Sequence, residues 1–257
     1  MDFTVGDLLR DWRGRRRLSQ LDLALEADVS TRHLSFVESG RSAASREMLL
    51  RLAAPLSLPP RERDRLLLAG GYAPLHGERA IDEPDMAAAK SVVEAVLRGH
   101  APFPALAVDR HWNLVLANEA ATALLADVAA ELLEPPVNVL RASLHPKGLA
   151  RHIVNLAEWR HHVLARLRHD ADRSLDPALD VLHAELKALP APNGQSATGV
   201  AGCIAVPLTL RHPASGSVLS FISTTTVFGT ATDVTLSELT LECFYPADEA
   251  TRLALTS

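Results

Sequence analysis

The stretch that decides how the chain begins is LSQLDLALEADVSTRHLSFVESGRS, residues 18–42. Ser19 and Ser30 each stand where a hydroxyl would open a helix, and Gly40 stands where a helix would close in the left-handed conformation without steric cost. Leu21, Leu23, Ala24 and Ala27 supply an apolar period after Ser19, Asp28 interrupts it, and a second helix is predicted over about residues 31–39. Two helices crossing at a wide angle over a tight turn need a small residue at their contact, an apolar residue after the turn and apolar anchors along the second helix. Ala24, Val29, Leu34 and Val37 fill those places. With these turned inward, the second helix must present Thr31, Arg32, Ser35 and Phe36 outward.

Three more helices flank the pair. One is predicted over about residues 5–17, with Leu8, Leu9 and Trp12 on one face. Another follows Ser45 with Met48, Leu49, Leu52 and Ala53, and a fifth opens at Pro60 and ends at Gly70-Gly71. Charge is distributed unevenly along the chain. Its net value is −5, yet residues 1–75 hold 12 Arg against 10 Asp or Glu, a net +2, and the remaining 14 basic and 21 acidic residues leave −7. A mildly basic head on an acidic body is compatible with phosphate contact by the head alone.

The register of Ser19-Gln20, Leu23-Ala24, Val29-Ser30, Leu34-Ser35, Val37-Glu38 and Gly40-Arg41 resembles the lambda-repressor/Cro, or XRE, family of helix-turn-helix proteins over about residues 5–72. Asp28 departs from the glycine usual in the turn, although Asp enters the left-handed region more readily than most residues. The resemblance implies a double-stranded DNA operator as partner. It also implies that Gln20 touches backbone and base edge, that Thr31, Arg32 and Phe36 occupy base-reading places beside Ser35, and that Arg41 and Arg46 anchor phosphates. Arg13 and Glu38 resemble a paired Arg and Glu tying the first helix to the end of the recognition helix. Arg32 has the geometry for guanine O6 and N7, Thr31 can donate or accept, and Phe36 can pack on a thymine methyl group. Phosphate contacts set register without carrying sequence information.

Residues 72–84 have linker composition, and a helix is predicted over about residues 86–98. The organisation expected is an all-α five-helix DNA-binding domain over residues 1–76, a linker and connecting helix over 77–98, and an α+β domain with an antiparallel sheet over 99–257. In the last part a hairpin over residues 105–116 runs into a helix, and residues 147–189 have helical spacing. Residues 199–206, 209–212, 217–226 and 235–244 then read as alternating, β-branched strands. A sheet of about five strands covered on one face by helices can enclose an apolar cavity with a few polar groups. Trp112, Trp159, Phe221, Phe228 and Phe244 are the large residues available to line it, and His162 or Arg166 on the Trp159 helix could meet a ligand carboxylate. Each aromatic also reads as plain core, and for Phe244 that is the preferred reading.

The run AVDRHWNLVLANEAATALL (residues 107–125) resembles the opening of a PAS-like domain, with Asn118 at its first helix, where the residue also reads as a simple cap. Residues 155–170 and 210–251 resemble the ligand-binding domain of MmyB-like regulators. Together these resemblances imply a PAS-like ligand-binding and dimerisation domain, a small hydrophobic ligand of fatty-acid type, no required cofactor, and a homodimer reading two half-sites. The alternative is a ligand-binding or scaffold protein whose helical head mediates protein association.

Other classes find little support. No His pair stands at the i, i+4 separation of helical zinc sites, no Cys-x-x-Cys occurs, and Cys203 and Cys243 sit in apolar surroundings, so no metal is expected. No phosphate loop or nucleophile elbow is present, which argues against an enzyme. The N-terminal residues lack a signal-peptide core and no stretch reaches transmembrane length, so a cytoplasmic location without membrane attachment is expected.

Overall fold

A computed structural model describes residues 3–76, 78–174, 176–190, 206–212, 215–228 and 233–256. The chain divides into two compact units, one over the first 80 residues and one over most of the rest.

The first unit is all helical: α1 (Val5–Arg16), α2 (Gln20–Glu26), α3 (Thr31–Glu38), α4 (Arg46–Ala53) and α5 (Pro60–Ala69). Local chemistry sets the boundaries. Ser19 and Asp22 form a reciprocal capping box at the start of α2, while the hydroxyls of Ser30 and Ser45 accept the His33 and Met48 N–H groups at 3.1 and 3.2 Å. Pro60 opens α5, where its missing N–H costs nothing. At the end of α3, Gly40 has φ +72°, its N–H donates to the Val37 carbonyl, and Arg41 N–H donates to the Phe36 carbonyl at 2.8 Å. That is a Schellman closure, which fixes the backbone of Arg41 against the recognition helix. Leu9, Leu23, Leu34, Leu49, Leu52 and Leu67 form the fully buried centre of the unit, joined by Trp12, Ala24 and Val37. Leu21 stands outside that core, 64% exposed, and Leu25, one turn later, is 78% exposed.

The second unit is an α+β domain. Its sheet has strand order β2-β1-β5-β4-β3 with every pair antiparallel, built from β1 (Ala105–Val108), β2 (Leu114–Ala117), β3 (Leu208–Arg211), β4 (Val218–Val227) and β5 (Thr240–Pro246). Its helices are α6 (Ala87–Gly99), α7 (Glu119–Leu124), α8 (Val139–Leu144), α9 (Leu156–Ser174), α10 (Pro177–Ala188) and α12 (Glu249–Thr256), while α11 (Val234–Glu238) groups through Ser237 with the first unit. Leu106 pairs with Glu242 and Thr225 pairs with Glu242 in the ladder, so all three side chains share one face with Phe221 and Phe244. Trp159, Val163 and Leu167 of α9 and Leu179, Leu182 and Leu186 of α10 join Val108, Leu208, Leu210 and Phe221 in one core.

One strand expected from alternation is corrected. Residues 235–238 belong to α11, because the Asp233 carboxylate accepts the Thr235 N–H at 2.9 Å and caps a helical turn. Only from Thr240 does the segment become β5. The strand expected over residues 199–206 lies outside the described residues apart from Val206, and so does Cys203. Among the described residues no helix is long and apolar enough to cross a membrane.

Candidate nucleic-acid interface and ligand cavity

The turn between α2 and α3 places the recognition helix. Asp28 takes φ +50°, the left-handed conformation that a glycine would adopt more cheaply. Arg51, from α4, braces this turn: its Nε donates to the Ala27 carbonyl at 3.0 Å, and its Nη2 donates to the Asp28 carbonyl and to the Asp28 carboxylate. Arg51 escaped the sequence reading because an arginine in an amphipathic helix looks like any solvated charge.

The far end of α3 is held from α1. Arg13 Nε and Nη2 donate to the two Glu38 carboxylate oxygens at 2.8 and 3.0 Å, and its Nη1 donates to the Leu18 carbonyl at 3.1 Å. Glu38 is only 3% exposed, and it also accepts from Gln20 Nε2 at 2.7 Å. Gln20 is therefore tied through its amide nitrogen, which leaves its side-chain oxygen as the group free to accept. Buried charge is tolerable here because the carboxylate is bidentate with arginine and bonded to a third group.

Between these supports, Leu34 and Val37 are buried, Arg32 is exposed, and Thr31, Ser35 and Phe36 are half-buried. The Arg32 guanidinium lies 5.5 Å from the Phe36 ring centroid, within cation–π range. The pair thus forms one surface feature of α3, and Phe36 takes no place in the hydrophobic core. Arg41 and Arg46 are both exposed, Arg46 at the first position of α4. A cation there gains nothing from its own helix dipole, whereas the adjoining N–H groups and the guanidinium both favour an anion.

In the second unit, a cavity of about 100 Å³ opens between the sheet face and the helices. Leu106, Leu140, Leu149, Val163, Leu208 and Phe244 give it an apolar wall, and Trp112, Trp159, His162 and Arg166 also line it. Trp112 reaches it from the β1–β2 turn, where Asp109 Oδ1 accepts the His111 and Asn113 N–H groups at 2.8 Å each. That carboxylate network stabilises Trp112 at φ +66°, a conformation a bulky residue adopts only when its surroundings enforce it. The Trp159 indole N–H donates to Ser143 Oγ at 2.9 Å, and the His162 ring lies 5.5 Å from the Trp159 ring. Burial, reinforced by Arg166, lowers the His162 pKa below its ordinary value, so its surroundings disfavour the charged ring.

Arg166 is not free to receive an anion. Its Nη2 and Nη1 donate to the Glu242 carboxylate at 2.6 and 3.1 Å, Nη2 also donates to Thr225 Oγ1 at 2.8 Å, and its guanidinium stacks 4.5 Å from the Trp112 ring centroid. Glu242 was missed from sequence, although a lone acid at an inward position of the strand LTLECFY is a usable signal.

Three residues expected in the pocket stand elsewhere. Phe221 is fully buried in the core and meets Phe244 edge-on at 6.3 Å, and Phe228 lies half-buried beyond the end of β4. Asn118 caps α7 by accepting the Ala121 N–H, accepts the Ala105 N–H, and donates to the Leu97 and Phe103 carbonyls. Its amide is fully used in joining α6, β1 and α7. Among the described residues no group of three His, Cys, Asp or Glu side chains gathers as a metal ion would need.

No curated protein matches the chain. Family models do. A helix-turn-helix model matches residues 9–63, and the model of the MmyB-like transcription regulator ligand binding domain matches residues 89–257, about two thirds of the chain. The chain belongs to the MmyB-like transcription regulators, joining a DNA-binding helix-turn-helix head to a ligand-binding domain.

Proposed function

We propose that the protein is a homodimeric, cytoplasmic regulator whose operator affinity responds to a hydrophobic, fatty-acid-like ligand. In this reading residues 1–76 read DNA, residues 77–98 connect, and residues 99–257 sense and dimerise. Arg32 and Phe36, with Thr31, Ser35 and Gln20, face base edges, and Arg41 and Arg46 hold phosphates. The observation that carries the DNA part is the division of α3: Leu34, Val37 and Glu38 buried, and Arg32 exposed over the Phe36 ring. An arginine so supported loses less conformational freedom when it meets a guanine. Two heads are needed because one, with few phosphate contacts, would bind weakly at physiological salt.

The ligand part is supported by the apolar cavity under the sheet. Its volume of about 100 Å³ is below the roughly 300 Å³ at which small-molecule pockets usually begin. A chain-bearing ligand therefore enters by displacing side chains, as in cavities that ligands enlarge from a minor state. A salt series on duplex DNA tests the reading. Affinity falling steeply with rising salt supports it, and no duplex binding at low salt favours a head used for protein association.

A further inference from the structure

The polar groups of the cavity are electrically committed before any ligand arrives. Four of its lining residues carry charge or a non-indole hydrogen-bonding side chain: Ser143, His162, Arg166 and Glu242. The single guanidinium is held bidentately by Glu242, which is 4% exposed, and that carboxylate also accepts from Thr225 Oγ1 at 3.0 Å. One turn along α9, the Asp170 carboxyl group adds a further acid near the same guanidinium, and burial raises its pKa. Burial first, and Arg166 second, disfavour the charged form of His162. An entering carboxylate would have to displace Glu242 from the Nη1–Nη2 edge of Arg166, or take the remaining Arg166 N–H groups beside the buried Glu242 carboxylate; either way two anions share one guanidinium out of water, which is an expensive arrangement.

Outside the guanidinium paired with Glu242, the hydrogen-bonding capacity of the lining is neutral. Ser143 Oγ already accepts from Trp159, so its proton is available to donate. The neutral His162 ring, beside Trp159, offers one donor and one acceptor. We infer that this cavity selects a hydrocarbon chain bearing an uncharged oxygen head, an alcohol or an ester, over the corresponding carboxylate anion. The inference rests on the reading that the cavity is the ligand site, and it keeps the fatty chain of that ligand while replacing its acid head with an uncharged one.

Calorimetry on the full chain at pH 7.5 with 1-decanol, methyl decanoate and decanoate, each below its aggregation limit, tests it. At least one neutral probe is expected to bind about ten-fold or more tighter than decanoate. Glu242→Gln, which frees Arg166, is expected to raise decanoate affinity about ten-fold while shifting the neutral probes by less than about three-fold. Should this variant not fold, the three probes on the wild-type chain decide alone. Decanoate binding to the wild type as tightly as both neutral probes overturns the head-group inference and leaves the sensing reading standing. Binding of none of the three defeats the sensing reading and the inference with it.

Discussion

Gly6 of α1 lies so close to Glu38 at the end of the recognition helix that a Cβ added to Gly6 would sit 2.2 Å from the Glu38 carbonyl oxygen. The obstacle is backbone, which a rotamer change cannot relieve. Gly6→Ala should therefore push α1 away from α3, destabilising the head by about 1–3 kcal/mol. Operator affinity should fall with it. Chemical denaturation and duplex titration of the same variant check both.

The ion pair beside this contact should show an asymmetry. Arg13→Ala leaves a buried carboxylate with Gln20 alone, whereas Glu38→Ala leaves an arginine whose side chain is a fifth exposed and still donates to the Leu18 carbonyl. Removing the arginine should cost about 3 kcal/mol, and removing the glutamate should cost less. Equal losses would mean that Glu38 is better solvated than its burial indicates.

Arg32 and Arg46 should separate by phenotype. Arg32→Ala should change the preferred sequence in a binding-site selection, with discrimination at one base pair falling by about 1–3 kcal/mol. Arg46→Ala should weaken all duplexes alike and reduce the slope of log affinity against log salt by about one per head. An unchanged site preference for Arg32→Ala would reject the assigned reading surface.

His162 should make the second domain acid-sensitive. Burial first, and Arg166 second, hold its folded pKa below the ordinary 6.5. Below pH 6.5 the unfolded chain therefore binds the proton more readily than the folded one. Stability is fully present above that pH and is lost as pH falls toward the folded pKa. His162→Gln should flatten the wild-type decline in Tm below pH 6.5. A decline of unchanged steepness would place its origin elsewhere, His183 being the other histidine whose pKa is lowered.

The head was legible because its determinants are local. Hydroxyl caps at Ser19, Ser30 and Ser45, the closure at Gly40 and the 3.6-residue apolar period all lie within a few residues of what they control. Leu21 shows the limit, since an apolar residue in the right helix stands on its outer side. In the second domain, β-branched composition carried the strand reading through Thr235, and only the carboxylate of Asp233 turns that stretch into a helix. The helices α8 and α12 were not read from the sequence. The cavity was least legible, because lining and core have one composition. Phe221 and Phe244 are alike in sequence, yet one is sealed in the core and the other faces the cavity. Glu242 acquires its meaning only from Arg166, 76 residues away in the chain.

A regulator that senses through this cavity must change its DNA binding when the cavity is occupied. The direct measurement is fluorescence anisotropy of a selected duplex titrated with the full chain at fixed salt, with and without a saturating concentration of whichever ten-carbon probe calorimetry shows to bind. A change in Kd of about five-fold or more, in either direction, is predicted. An unchanged Kd with the probe demonstrably bound would contradict it.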